Sequence, residues 1–154
     1  MPRPFVLLDT SGAPQALREQ RGRPLLAAFF KATCPTCMLA FPYLERLHQT
    51  YGPHGLTVWG ISQDTLDDSL AFAREQGVTF PILLDTTWDV STNYAIEHVP
   101  TTLLFGRAGK VICTAVAFAK DDLNEIARMV ALETGSEPAI IAPAGDGKPA
   151  FPPG

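Results

Sequence analysis

Short apolar segments alternate along the chain with longer segments of mixed polarity. Leu25–Phe30 contains no polar residue, which is typical of a central strand buried on both faces. Residues 56–61 and 81–85 are mostly apolar and are predicted to be strands as well. Further strands are predicted at residues 5–9, 15–17, 102–105 and 111–117, the last two forming a hairpin.

Four segments have helical periodicity and recognisable ends. In Pro35–Tyr51, Cys37, Leu44 and Leu47 form an apolar stripe, and the following Gly52-Pro53 predicts the end of the helix. Pro42 lies inside this helix and is expected to kink it. Shorter helices are predicted at residues 67–76, 90–96 and 121–133.

The alternation of strands and helices predicts a layered α/β fold. A chain of 154 residues suits one compact domain, which we place at residues 1–134. Residues 135–154 are rich in proline, glycine and alanine and lack periodicity. We therefore expect a loosely held or disordered C-terminal tail.

Composition and charge exclude several classes of partner. The chain is 46% apolar and 18% charged, with a net charge of -4 and no basic cluster, so neither nucleic acid nor an anionic membrane is an expected partner. The longest apolar segment, Leu25–Phe30, is too short to span a bilayer. The N-terminus lacks the pattern of a signal peptide, which predicts a cytoplasmic protein, or a periplasmic one if the chain is a trimmed mature form.

The three cysteines do not form the even framework of a small disulfide-stapled domain. Cys34 and Cys37 are a close pair, and Cys113 and the three histidines supply no second paired motif for a zinc site. We therefore predict no metal and no cofactor. Cys113, in an apolar strand, is interpreted as a small buried hydrophobic residue.

The segment Thr33-Cys34-Pro35-Thr36-Cys37 stands where an apolar strand ends and a helix begins. Unpaired N–H groups and the helix dipole favour a thiolate at Cys34, which makes it the candidate nucleophile. Cys37, one helical turn later, is placed to resolve a mixed disulfide from a more buried position. Pro35 suits the first helical position, where its missing N–H is not required.

Over residues 5–133 the sequence resembles the thioredoxin superfamily, specifically the TlpA/ResA-like thiol-disulfide oxidoreductases related to the AhpC/TSA proteins. The resemblance rests on residues 29–37, on Pro42, and on Val99-Pro100, which resembles the family's cis-proline loop. It implies a thioredoxin-like α/β/α fold of three layers, with a central mixed sheet, an N-terminal β-hairpin extension and a central αβ insertion. It also implies that Pro100 is cis and faces the cysteines, that Val99 presents its backbone to an extended peptide, and that Thr33, Pro35 and Thr36 support the site.

The departures from the family pattern fall on residues expected to move protons. The family's tryptophan before the first cysteine is Thr33 here, and its acidic positions are Ala28 and Ala40. The proton of Cys37 must then go to water or to a neighbour such as Asp64 or Gln63, or the site reacts more slowly. Two further candidates for influence on the pair are Lys31 and His98.

These observations predict a protein disulfide oxidoreductase that works through Cys34 and Cys37. A disulfide-containing protein is the expected substrate, a thioredoxin-like or glutathione-like thiol the electron donor, and a monomer or weak dimer the expected assembly. Two alternatives stay open: a peroxiredoxin-like peroxidase, whose Pro-x-x-x-Thr-x-x-Cys pattern is absent here, and a redox-sensing binding module.

Overall fold

The computed structural model describes residues 3–151. Strands and helices alternate within this range, as the hydrophobic pattern predicts. The strands are β1 Val6–Leu8, β2 Pro14–Ala16, β3 Leu25–Phe30, β4 Thr57–Ser62, β5 Ile82–Leu84, β6 Thr101–Phe105 and β7 Val111–Val116. The helices are α1 Pro35–Tyr51, α2 Leu66–Gln76, α3 Asp89–Asn93 and α4 Lys120–Thr134, with 3-10 helices at Leu17–Gln20 and Gly52–His54.

Five strands form a mixed sheet in the order β5-β4-β3-β6-β7. β3 pairs in parallel with β4, and β4 with β5, whereas β6 is antiparallel to both β3 and β7. β1 and β2 form a separate hairpin that docks on β5, where the N–H of Thr10 donates to the carbonyl of Ile82 at 3.0 Å. α2 and β5 form the insertion between β4 and α3, so the predicted fold class is confirmed.

Alternate residues of β3 belong to two hydrophobic cores, one on each face of the sheet. Phe30 packs on one face against Phe41 of α1 and Phe72 of α2, with ring centroids 4.5 and 4.6 Å away. Phe29 packs on the other face near Tyr94, at 6.3 Å. Burying each of these rings contributes about 2–3 kcal/mol, so the strand that leads into α1 is firmly fixed.

The segment after α4 packs against the domain, so the expectation of a loosely held tail is wrong for residues 135–151. Ile141 and Ala142 are each only 1% exposed. The side chain of Asn124 accepts hydrogen bonds from both of their backbone N–H groups. Composition misled the prediction because polar side chains of the helices satisfy the backbone of this segment. The domain boundary at residue 134 stays a prediction.

A salt bridge fixes the end of this segment. Lys120, only 5% exposed, places its ammonium 2.6 Å from the carboxylate of Asp146. The same ammonium donates to the carbonyls of Pro143 and Lys148, at 3.0 and 2.8 Å. Tyr43 of α1 also donates to Asp146, at 2.5 Å. The buried charge is therefore fully partnered by the C-terminal segment.

Candidate active site

The turn between β3 and α1 presents the cysteine pair. Cys34 is the N-cap residue of α1, and its sulfur accepts a 3.2 Å hydrogen bond from the backbone N–H of Cys37. Pro35 occupies the first helical position, as predicted. The N–H of Cys34 donates to the carbonyl of Lys31 at 3.2 Å, which closes the turn. A negative charge on Cys34 would thus face the N-terminus of the helix.

The two sulfurs lie in different environments. Cys34 is half-buried, whereas Cys37 is fully buried, and all three cysteines of the chain are free thiols. Burial raises the pKa of the Cys37 thiol well above its ordinary value, and Cys34 and the carboxylate of Asp64 raise it further. The arrangement can therefore offer one accessible sulfur and keep the second protonated behind it.

The loop around Pro100 lies against Cys34. The Val99–Pro100 peptide bond is cis, as the resemblance implied. The thiol of Cys34 donates to the carbonyl oxygen of Val99 over 3.6 Å. His98 is exposed beside this loop, and its carbonyl accepts a 2.6 Å hydrogen bond from the hydroxyl of Thr101. Residues far apart in sequence therefore meet at the first cysteine.

Thr33 and Pro35 are exposed on either side of Cys34, and Thr36 is half-buried. They form the rim of the cysteine pair, and their roles stay predictions.

The two candidate proton acceptors, Asp64 and Gln63, have different hydrogen-bond partners in the structure. The carboxylate of Asp64 accepts a 2.6 Å hydrogen bond from the N–H of Ala32, two residues before Cys34. The side chain of Gln63 instead donates to the hydroxyl of Ser91 at 3.0 Å, in the direction of α3. Asp64 is the candidate that borders the cysteine turn.

The sequence prediction omitted Trp88. Its indole ring is 44% exposed, and the ammonium of Lys31 lies 4.4 Å from the ring centroid. The indole N–H donates to the carbonyl of Gln63 at 3.0 Å. A tryptophan in a polar segment outside any periodic pattern was the only signal of it in the sequence.

Cys113 lies on β7, half-buried and packed against the core. Burial raises the pKa of its thiol, and the carboxylates of Asp122 and Glu125 add to this effect. Cys113 packs against the core, but it is half-buried and not buried as predicted.

Known proteins are similar to this chain in sequence and in fold. The model of the AhpC/TSA family matches residues 2–113, which include both cysteines and the Val99–Pro100 loop. The chain belongs to the AhpC/TSA family. The sequence-based assignment to ResA-like members of the thioredoxin superfamily is confirmed by the relatives described next.

Several relatives of this chain are thiol-disulfide oxidoreductases named ResA. The protein from Geobacillus thermodenitrificans is 31% identical over 124 residues, covering 79% of this chain and 71% of that protein. The protein from Bacillus subtilis is 30% identical over 111 residues, covering 70% of this chain and 61% of that protein. For the ResA of Halalkalibacterium halodurans the match spans 62% of its length, so the chain matches less than two thirds of several relatives.

Solved structures share the fold. The thioredoxin domain of a thiol-disulfide oxidoreductase from Bacteroides vulgatus superposes with a TM-score of 0.75 at 25% identity, covering 84% of this chain and 94% of that one. A thioredoxin-family thiol:disulfide interchange protein from Chlorobium tepidum gives a TM-score of 0.73 at 22% identity, covering 86% and 94%. These likenesses show that the fold is thioredoxin-like.

Within residues 3–151, none of the helices combines the length and apolar character needed to cross a membrane.

Proposed function

We propose that this member of the AhpC/TSA family is a thiol-disulfide oxidoreductase that exchanges electrons with protein disulfides through Cys34 and Cys37. One observation carries the proposal. An accessible sulfur at the N-terminus of α1 has a fully buried second sulfur one turn behind it. A pair with only a structural role would not need one accessible and one protected thiol.

In the first step, the Cys34 thiolate attacks one sulfur of a substrate disulfide. A bond forms between Cys34 and that sulfur, the substrate S–S bond breaks, and the departing sulfur takes up a proton. The N-terminus of α1 and the N–H of Cys37 stabilise the attacking charge. The product is a mixed disulfide between chain and substrate.

In the second step, Cys37 loses its proton and attacks the sulfur of Cys34. The mixed disulfide breaks, the second substrate thiol departs, and a Cys34–Cys37 disulfide forms. The substrate has then gained two electrons and two protons, and a thiol donor must reduce the new disulfide. Because the pKa of Cys37 is raised, this step requires a proton acceptor.

We assign that role to Asp64. Its carboxylate is fixed by the N–H of Ala32 and raises the pKa of Cys37, so it lies within electrostatic reach of the thiol. Transfer through one intervening water suits this placement.

The substrate segment would lie along the Val99–Pro100 loop. The carbonyl of Val99, 3.6 Å from the sulfur of Cys34, is a suitable acceptor for an extended peptide. Thr33 and Thr36 would contact the same segment, and Pro35 would keep the first turn of α1 in place.

The remaining partners are proposed on chemical grounds. A thioredoxin-like or glutathione-like thiol would return the electrons, and the protein would act as a monomer or weak dimer. The cytoplasmic location stays a prediction, and one structural neighbour, a disulfide oxidoreductase from Mycobacterium tuberculosis, is described as secreted.

The test is the reduction of insulin disulfides with dithiothreitol as donor. The unsubstituted chain should accelerate the reaction, Cys34→Ser should abolish the acceleration, and Cys37→Ser should accumulate a mixed disulfide. Cys113→Ser is the matched control and should retain full activity. A glutathione titration should give a two-electron potential near or below about -200 mV for a reductase, and a much higher one for an oxidase.

Three results would contradict the proposal. One is an active Cys34→Ser variant, and another is the absence of a reversible Cys34–Cys37 disulfide. The third is rapid consumption of hydrogen peroxide without reduction of insulin, which would favour the peroxidase alternative. Oxidation-dependent capture of a partner without turnover would favour the sensor.

A further inference from the structure

The half-buried Lys31 and the exposed Trp88 form a pair, here called the Lys31–Trp88 platform, that lies beside the proposed active site and has no part in the mechanism above. The ammonium of Lys31 is 4.4 Å from the ring centroid of Trp88. The indole remains 44% exposed, although large aromatic rings contribute most when they are buried.

The local structure holds this ring in place at the surface. Trp88 has a φ of +66°, in the left-handed region that a bulky residue rarely adopts. Its backbone N–H donates to the carbonyl of Asp85 at 2.9 Å, and its indole N–H donates to the carbonyl of Gln63 at 3.0 Å. Unfavourable backbone conformations persist where surrounding contacts impose them, and they cluster at functional sites.

The platform is connected to the cysteine turn through the backbone. The carbonyl of Lys31 accepts the N–H of Cys34 at 3.2 Å, and the N–H of Gln63 donates to the carbonyl of Phe30 at 3.1 Å. Both partners of the platform are therefore anchored to the segment that leads into Cys34. Along these contacts, only Gln63, Phe30 and Lys31 separate the indole from Cys34.

We propose that the Lys31–Trp88 platform binds an apolar or aromatic side chain next to the reacting cysteine of the protein substrate. This inference rests on the proposed function and adds a substrate preference to it. Exposed tryptophans are enriched among the residues that dominate binding at protein interfaces.

The surrounding charges favour an apolar partner over an acidic one. Asp89 follows Trp88 directly in sequence, and the carboxylate of Asp64 binds the residue after Lys31. Among residues 3–151 Lys31 forms no ion pair, so its ammonium is free to hold the indole in place. A carboxylate on the substrate would meet the ammonium of Lys31 together with the carboxylate of Asp64 and so gain little net attraction, whereas an apolar side chain would gain contact area on the exposed ring.

The test compares two peptides that form the same disulfide and differ in one residue, phenylalanine or serine, beside the cysteine. The unsubstituted chain should reduce the phenylalanine peptide with a kcat/KM roughly 5- to 10-fold higher. Trp88→Ala should remove this preference, while Trp88→Phe should keep most of it. Lys31→Met should weaken the preference and Lys31→Arg restore it, because only the latter keeps a cation over the ring.

Leu132→Ala, which removes another exposed apolar side chain on α4, is the control and should leave the ratio unchanged. Reduction of 2-hydroxyethyl disulfide should change by less than about two-fold in the Trp88 variants, because that molecule is too small to use the platform. Equal rates on both peptides in the unsubstituted chain, or a preserved preference in Trp88→Ala, would overturn the inference and leave the proposed function intact. A chain that reduces neither peptide would overturn both.

Discussion

The carboxylate of Asp64 accepts a 2.6 Å hydrogen bond from the backbone N–H of Ala32, two residues before Cys34. The segment just after β4 thereby supplies an acidic group to the turn that follows β3. Ala32 and Asp64 are 32 positions apart in the sequence. The contact brings a carboxylate to a site whose own strand and helix have alanine at the acidic positions of the family.

Asp64→Asn should slow resolution of the mixed disulfide. The substitution keeps the shape of the side chain and removes the proton acceptor, so we expect the step to slow about 10- to 100-fold near pH 7. The rate of this step can be measured by stopped flow as the release of the substrate thiol. Asp67→Asn, on the exposed first turn of α2, is the control. The negative charge of Asp64 raises the pKa of Cys37, so a faster step in Asp64→Asn would mean that this charge hinders the step.

Alkylation should distinguish the two thiols of the pair. Iodoacetamide reacts with thiolates, and Cys37 is fully buried with a pKa raised by burial, so Cys34 should be modified first. Peptide mass spectrometry after timed exposure at pH 8 should find Cys34 labelled while Cys37 is unmodified. Equal labelling of the two would contradict the arrangement described for α1.

Lys120→Met should destabilise the chain. The substitution leaves Asp146 and two backbone carbonyls without their buried cation, at a cost of about 2–4 kcal/mol. Thermal unfolding should show a Tm lower by roughly 5–15 °C. Lys110→Met, at an exposed lysine, is the control. If the two variants unfold at the same temperature, the C-terminal segment contributes no stability through this contact.

Lowering the pH should destabilise the N-terminal hairpin because the carboxylate of Asp9 becomes protonated. Burial raises the pKa of this carboxyl, but hydrogen bonds from Ser11, Gln15 and Ala13 outweigh that effect and lower the pKa to about 2. A lowered pKa stabilises the folded state above the ordinary value of 3.8, and this stabilisation is lost as the pH falls from about 4 to about 2. Urea midpoints measured across this range should fall more steeply for the unsubstituted chain than for Asp9→Asn. Parallel curves would show that Asp9 does not control this transition.

The hydrophobic pattern was sufficient to predict the strands of the sheet, whereas its mixed character was implied by the family resemblance. An uninterrupted apolar segment such as Leu25–Phe30 has few structural alternatives, and α1 has the predicted bounds because proline begins it and Gly52-Pro53 ends it. The helix predicted at residues 90–96 is shorter, Asp89–Asn93, and Ala95 beyond it has a positive φ. Local end signals are weak in so short a helix.

The cysteine pair could be predicted because its spacing is local, and the family resemblance implied the cis peptide bond before Pro100. Asp64 could be named only as one of two neighbouring candidates, and Trp88 was missed. Asp64 and Trp88 reach the cysteine turn through pairing of β3 with β4 and through the loop after β5, and single-sequence periodicity does not reveal such contacts. The packing of residues 135–151 was missed for a similar reason. Its partners lie on helices outside the segment: Tyr43 of α1 is 103 positions from Asp146, and Asn124 of α4 is 17 positions from Ile141.

The C-terminal segment has a consequence for how a redox change can be communicated. Arg46 and Tyr51, both in the second half of α1, bind the backbone of this segment, and Tyr43 binds Asp146. The helix that carries the sulfurs on its first turn is thus tethered along the rest of its length. These contacts restrain any movement of the whole helix on oxidation or reduction. A partner that distinguishes the dithiol from the disulfide therefore has to contact the few atoms around that first turn.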